Sequence, residues 1–591
     1  MTKIDCEPLY FAGCMGWAHT PQPLRAGLRG VILCAPLGDE ALGAYGAWRV
    51  LADRLASAGL PVLRFDYPAS GDSLFADGEL PGLRPWLDCI HQAAALLRER
   101  FEVGEIALCG LRMGATLASL ASATTGAARL VALAPFANGR AYIRELRAGA
   151  RMVAAIWQVP AAIEQDNWFE AMGVRWDAQT RHEIEAVDLF RLDERPAEAA
   201  LLIGPSGKLP GLVELADRWR SLGCVVAVEE GDDLDACLQE STIAATPQAT
   251  FDRIVAWLTY DAPAESGRMV TSGKTALQPV RVGEAIEQPV HFGPGSRGFG
   301  IWCKPATQAD ANAPTLVILN TTLNPRAGNS RMGVTLARGL AAKGFSSLRI
   351  DNIGGGDSIL KAGEFIHPYA AENVTRVKAA LDWVAERQPG PLALFGLCSG
   401  AHAAFHTAVD DVRVRGLVLV NLQKIVWTAG MSLKVMQQGT LRSSYYADRL
   451  RKGDVWKRLL RGDVAVRRIG GELARRATTG VVNTLQAHIA PRAFGDTASR
   501  RVWGWFDALD RRRVEIAMLV GSHDPARDEV EIYFGAGGRR LRSYPAIELT
   551  VLEGVDHSLS TVAMREQVID QAVATLKSLC PVAPQPRNLV G

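Results

Sequence analysis

Cys398 stands in the run L-A-L-F-G-L-C-S-G-A-H, residues 392 to 402, with Gly396 and Gly400 two positions to either side. An apolar run ending in small-x-nucleophile-x-small is the spacing of a nucleophile elbow. The chain turns sharply from strand to helix, exposes the apex side chain and aims the next backbone N–H at a developing oxyanion. A thiol attacks only as its thiolate, so it needs an imidazole to take the proton and a carboxylate to fix that imidazole's tautomer. Both follow in chain order: Asp524 after the apolar run VEIAMLVG, and His557 after IELTVLEG. The expected triad is therefore Cys398, His557 and Asp524. The backbone N–H of Ser399 and one from the Thr321-Thr322 pair, after the run TLVILN, are the expected oxyanion donors.

Such a triad performs acyl chemistry through an acyl-cysteine. Passing the acyl group to water makes a thioesterase or esterase, the first reading, and passing it to an alcohol or amine makes an acyltransferase. A non-catalytic scaffold is the third. Other roles compete at each position: Cys398 as an inert buried thiol, Ser399 as the nucleophile one residue out of register, and Asp524 as a helix cap with Asp528 or Glu529 as the acid. His402 and His406, four apart on the helix expected after the elbow, and His523 read as structural. No metal and no cofactor is expected.

The elements that must position these residues occur twice. LADRLASAGLPVLRFDYPASGDS, ending at Ser73, returns as LARGLAAKGFSSLRIDNIGGGDS, ending at Ser358, an offset of 285 residues. The repeat continues through GLRMGA and GLCSGA, each after an apolar run and before an alanine-rich helical pattern. Short β-rich runs (VILCAP, PVLRFD, IALCG, LVALAP, ALLIG; TLVILN, SSLRID, LALFG, LVLVN, IAMLVG) alternate with amphipathic segments of helical length, which predicts mainly parallel sheets covered on both faces. The expected division is a first domain over 1–261, a Gly/Ser/Pro-rich linker over 262–286, and a catalytic domain over 287–580.

The hairpin, R-x-D, G-D-S, elbow and late G-x-D-H pattern resembles the α/β-hydrolase superfamily, in its serine aminopeptidase-like branch. RFDYPASGDS, GLRMGA and GLCSGA are similar to hydrolases encoded with bacterial exosortase and exopolysaccharide systems. The resemblance implies an α/β fold of two tandem α/β-hydrolase domains, small-molecule or polysaccharide-linked acyl chemistry in a bacterium, and a helical cap inserted in the second copy. A cysteine nucleophile has a counterpart in the superfamily's dienelactone hydrolases.

The first copy lacks the chemistry. Its elbow apex is Arg112, which stays protonated and cannot attack a carbonyl. No histidine follows its last strand run, CVVAVEEGDD, before the closing helix. It reads as a degenerate copy whose apex has structurally decayed, the alternative being that Arg112, beside a helix N-terminus, grips an anionic ligand.

The net charge of +2, from 65 Lys and Arg against 63 Asp and Glu, conceals a local imbalance. Between Asn421 and Arg513, the expected cap, 19 Lys or Arg face 7 Asp or Glu. Arg449, Arg451, Lys452, Lys457 and Arg458 are the candidates there for binding an acyl carrier protein or coenzyme A thioester. The alternative is a solvated helical face; no nucleic-acid module is apparent. Ten scattered cysteines without a CxxC pair, no apolar N-terminal leader and no 18-residue apolar run predict a cytoplasmic protein without a membrane span.

Overall fold

Each apolar run named above becomes a strand, and the strands assemble into two sheets. The computed structural model describes residues 3–580 except 76–79, 161–166, 206, 208, 242, 264–266, 271–276, 308–309, 322, 353, 359–365, 429–430 and 432–497. In the first half the strands are β1 (Lys3–Phe11), β2 (Cys14–Gln22), β3 (Arg29–Cys34), β4 (Val62–Phe65), β5 (Glu105–Leu111), β6 (Ala127–Leu133), the separate hairpin β7 (Trp168–Ala171) and β8 (Val174–Asp177), β9 (Ala199–Gly204) and β10 (Val225–Glu230). The sheet order is β1-β2-β4-β3-β5-β6-β9-β10, antiparallel at β1/β2 and β2/β4 and parallel beyond.

The second half has β11 (Val280–Val282), β12 (Ala285–Phe292), β13 (Gly298–Pro305), β14 (Thr315–Leu319), β15 (Ser346–Ile350), β16 (Leu392–Leu397), β17 (Val414–Val420), β18 (Glu515–Gly521) and β19 (Ile547–Leu552). Its order, β11-β12-β13-β15-β14-β16-β17-β18-β19, repeats the first once β11 is set aside. Even a register shift recurs, between Ile106 and Ala107 in one copy and between Leu392 and Ala393 in the other. This is the strand order of the α/β-hydrolase fold, present twice. β11 and the start of β12 lie inside the stretch read as linker, because Val280–Val282 folds back on β12 as an edge hairpin.

Helices cover both faces of each sheet, as parallel strands apolar on both sides require. In the first half these are α1 (Asp39–Ser57), α2 (Leu83–Phe101), α3 (Met113–Thr125), α4 (Gly139–Trp157), α5 (Ala178–Glu185), α6 (Leu209–Ser221) and α7 (Gln248–Thr259). In the second they are α8 (Met332–Ala342), α9 (Glu372–Ala385), α10 (Ser399–Asp410), α11 (Ala498–Arg511), α12 (Ala526–Phe534) and α13 (Val562–Ser578). Alternate residues of one strand feed opposite layers. Ile32 packs with Ile90 and Trp219 of α2 and α6, while Val31 and Leu33 pack with Leu51 and Phe251 of α1 and α7.

The halves meet through buried charge. Arg326 is fully buried, its guanidinium 2.8 Å from Asp72, 3.0 Å from Asp351 and 2.8 Å from Asp357, with its face on Phe299. Arg349 bonds Asp72 at 2.9 Å and Glu287 at 2.8 Å, Arg64 bonds Asp357, and Arg338 donates to the carbonyl oxygens of Ser73 and Phe75. Trp17 packs edge-on against Phe299 at the centre. Burying so many ions is tolerable only because each is paired and hydrogen-bonded. Burial alone would raise the Glu287 carboxyl, but Arg349 and Arg338 overcome it and hold it at about 2.

Candidate active site

The backbone makes the elbow before any side chain does. Cys398 has φ 54° and ψ −114°, a left-handed conformation at the junction of β16 and α10. The turn closes only around small residues: a Cβ on Gly396 would overlap the Gly400 backbone, and one on Gly400 would meet the carbonyl oxygen of Asn320. Cys398 N–H donates to Val420 O at 2.9 Å, tying the apex to the end of β17. Arg112 repeats this geometry with φ 56° and ψ −121°, and Gly110 and Gly114 repeat the glycine requirement.

Asp524 and His557 meet at the same end of the sheet. Asp524, three residues beyond β18 and 1% exposed, places Oδ2 2.6 Å from His557 Nδ1 and takes the Ala526 N–H on Oδ1 at 2.8 Å. It is thus both a helix-start cap and the partner of the imidazole. With Nδ1–H committed to Asp524, the other ring nitrogen is left for the Cys398 sulfur, whose charge acts on the ring. Burial by itself would lower the imidazole's proton affinity. The charges of Asp524 and of a Cys398 thiolate more than offset this and hold it well above the ordinary range.

The loop carrying His557 is braced internally. Asp556 accepts the N–H groups of Ser558 and Ser560 and the Ser560 hydroxyl, and Arg565 donates to the carbonyl oxygens of Leu559 and Ser560. Asn421, just past β17, joins it to β18 by donating to His557 O at 3.2 Å and accepting the Gly521 N–H at 2.9 Å.

Other neighbours carry no sequence signal. Tyr369 places its hydroxyl 3.9 Å from Cys398 Sγ; burial and the nearby sulfur keep that phenol protonated, so it can donate to a thiolate. Its ring stacks on Trp427 at 4.4 Å and meets His402 edge-on. Gln423 Nε2 lies 3.2 Å from His557 Nδ1. Trp157, at the end of α4 in the first half, stacks on the His557 ring.

The remaining candidates fall in three places. His402 and His406 donate to the carbonyl oxygens of Lys424 and Ile425, and Glu529 holds the Lys424 ammonium and the Ile425 N–H, so these groups clamp the chain entering the expected cap. Glu529 is thereby occupied and does not meet His557. Ser399 begins α10, which puts its N–H at a helix N-terminus beside the thiol, and Thr321 lies buried after β14. Thr322, Arg449, Arg451, Lys452, Lys457 and Arg458 lie outside the described residues. Among the described residues no three His, Cys, Asp or Glu side chains are grouped to hold a metal, and no helix is long and apolar enough to cross a membrane.

In the first half, counting from the strand ends puts Gly207 where Asp524 stands and exposed Asp235 where His557 stands. Arg112 bonds Glu40 at 2.9 Å and Glu145, with its guanidinium 4.3 Å over Phe136. Its charge is already matched by two carboxylates, so no anion site is argued from it. A cavity of about 110 Å³ lies instead between the halves, lined by Tyr45, Asp66, Arg175, Ser330, Arg331 and Arg565 among others and not by Cys398.

No family model matches this chain, and no curated protein does. Solved structures similar to part of it include Est1E from Butyrivibrio proteoclasticus with ferulic acid bound (13% identity, TM-score 0.32, covering 43% of this chain and 98% of that one). An esterase from Pyrobaculum calidifontis is similar at 15% identity and TM-score 0.33, covering 44% and 87%. The esterase Pf2001 from Pyrococcus furiosus is similar at 14% and 0.31, covering 50% and 93%.

Proposed function

We propose that the chain is an acyl hydrolase whose chemistry resides in the second half, with Cys398 as nucleophile, His557 as general base and acid, and Asp524 as the carboxylate that orients the imidazole. The observation that carries this reading is the 2.6 Å contact of Asp524 Oδ2 with the His557 ring beside a sulfur held at a strained strand–helix apex. The sulfur attacks the acyl carbonyl and forms a C–S bond. The resulting oxyanion faces the Ser399 N–H, and collapse expels the alcohol or thiol, which takes its proton from His557. Water, deprotonated by His557, then attacks the acyl-cysteine, releasing the acid and restoring the thiol.

The first half serves as a non-catalytic copy, since arginine, glycine and aspartate occupy the three positions and none of them can act as the nucleophile or its imidazole base. The substrate class is an ester or thioester. The positive excess between Asn421 and Arg513 favours an anionic leaving group such as coenzyme A or a carrier-protein arm. Intact mass spectrometry after exposure to a panel of acyl esters and thioesters tests the reading. An acyl adduct is expected on wild type and not on Cys398→Ala; an adduct on both, or hydrolysis undiminished by the substitution, would sink it.

A further inference from the structure

Helix α4 belongs to the first half by sequence and by packing. Tyr142, Ile143 and Leu146 are buried in that half's core, and Glu145 bonds Arg112. Its last residue, Trp157, nevertheless lies on the second half's candidate site. The indole and the His557 imidazole are stacked, with ring centroids 5.5 Å apart and planes inclined by 15°. The helix then ends at Gln158 in the left-handed conformation, with Val159 N–H closing onto Ala154 O. Val159 packs against the second half's core, and Pro160 lies against Gly554 of the loop that carries His557. A further bond, from Val562 N–H to Glu170, ties the segment after α4 to the start of α13. The crossing is therefore anchored on both sides of Trp157.

We propose that Trp157 is a positioning residue for the His557 base, so that the half without a triad completes the site of the half that has one. This rests on the acyl-hydrolase reading of Cys398, His557 and Asp524. Asp524 holds the imidazole by its Nδ1 edge, but an edge contact leaves the ring free to tilt about it. An indole lying flat on one face removes that freedom, excludes water from it, and favours the imidazolium form through its π-face. The charged groups facing the ring are Asp524, from the loop after β18, and Cys398, from the elbow. Asp556, in its own loop, turns its carboxylate to Ser558 and Ser560. Trp157 is what α4 presents to it.

The test uses the full chain and two readouts that need no substrate turnover. The first is the difference in tryptophan fluorescence between wild type and Trp157→Phe, followed against pH. It should titrate with His557, and that pH dependence should vanish when the same pair is compared in a His557→Ala background; a pH-independent difference in the wild-type background overturns the proposal. The second is the rate of Cys398 alkylation by iodoacetamide. Its alkaline step, where the imidazolium beside the thiolate gives up its proton, should move down by about half a pH unit in Trp157→Ala, as the imidazolium loses its π partner, and return in Trp157→Phe. Superimposable profiles for all three proteins overturn it. Where an ester substrate is turned over, Trp157→Ala should lower kcat about tenfold with KM within about twofold. If no ester is turned over while both substrate-free readouts respond, the hydrolase reading falls and the placement of Trp157 stands.

Discussion

Asp524 and His557 lie 2.6 Å apart, with the carboxylate's second oxygen already fixed by the Ala526 N–H. The acid is therefore rigid before any substrate arrives. Asp524→Asn should keep the cap and the fold but let the imidazole take the wrong tautomer, lowering kcat by two to four orders of magnitude. His557→Ala should lose at least as much. Steady-state kinetics beside a thermal melt checks both; a variant that melts like wild type and retains more than about a tenth of its activity would contradict the assigned roles.

Arg112 occupies the other elbow, where two glutamates neutralise it. Arg112→Ala should leave turnover within about an order of magnitude, because both of its ion-pair partners, Glu40 and Glu145, belong to the first half. A collapse comparable to that of His557→Ala would mean that the wrong half had been dismissed.

Glu287 gives the junction between halves an acid limit. Its folded-state carboxyl is held at about 2 by Arg349 and Arg338, below the ordinary 4.5. A depressed acid contributes stability that is present above about 4.5 and lost as pH falls toward 2, since the unfolded chain binds the proton first. Denaturant midpoints taken from pH 6 down to pH 2.5 should fall in wild type. The slope should be shallower in Glu287→Gln.

At the centre of that junction, Arg326 neutralises three carboxylates at once. Arg326→Met should destabilise by roughly 3–5 kcal/mol, because it leaves buried Asp351 without its cation and takes one of two cations from each of Asp72 and Asp357. Urea unfolding measures it, and a loss under about 1 kcal/mol would show that water or rearrangement replaces the guanidinium.

The basic stretch after Asn421 makes salt the cheapest probe of the leaving group. Activity on a coenzyme A or carrier-protein thioester should fall steeply between about 50 and 200 mM salt, where screening shortens to about 8 Å or less, while a short neutral ester should hardly respond. Equal responses would remove the case for an anionic carrier.

The strand runs and the positions of Cys398, Asp524 and His557 were legible because each is local: an apolar run, a glycine spacing, a fixed chain order. Tyr369, Gln423 and Trp157 were not. Each reaches the site through tertiary packing, and Trp157 arrives from 400 positions before the residue it covers. The paired R-x-D and G-D-S motifs could be seen to repeat, yet a repeat cannot say whether each copy bonds within itself or with its twin. The edge strand at Val280 was hidden in a Gly/Ser/Pro-rich stretch that looked like a plain connector.

That last ambiguity is resolved in one direction. Arg349 of the second motif takes Asp72 of the first, and Arg64 of the first takes Asp357 of the second. The bonds are exchanged, as across the two-fold axis of a symmetric dimer. Decay of either motif would then remove an ion pair from the other copy, which gives a physical reason for the first half to keep its R-x-D and G-D-S while it carries none of the three residues proposed for catalysis. Read this way, the motif is a badge of pairing and says nothing about hydrolysis.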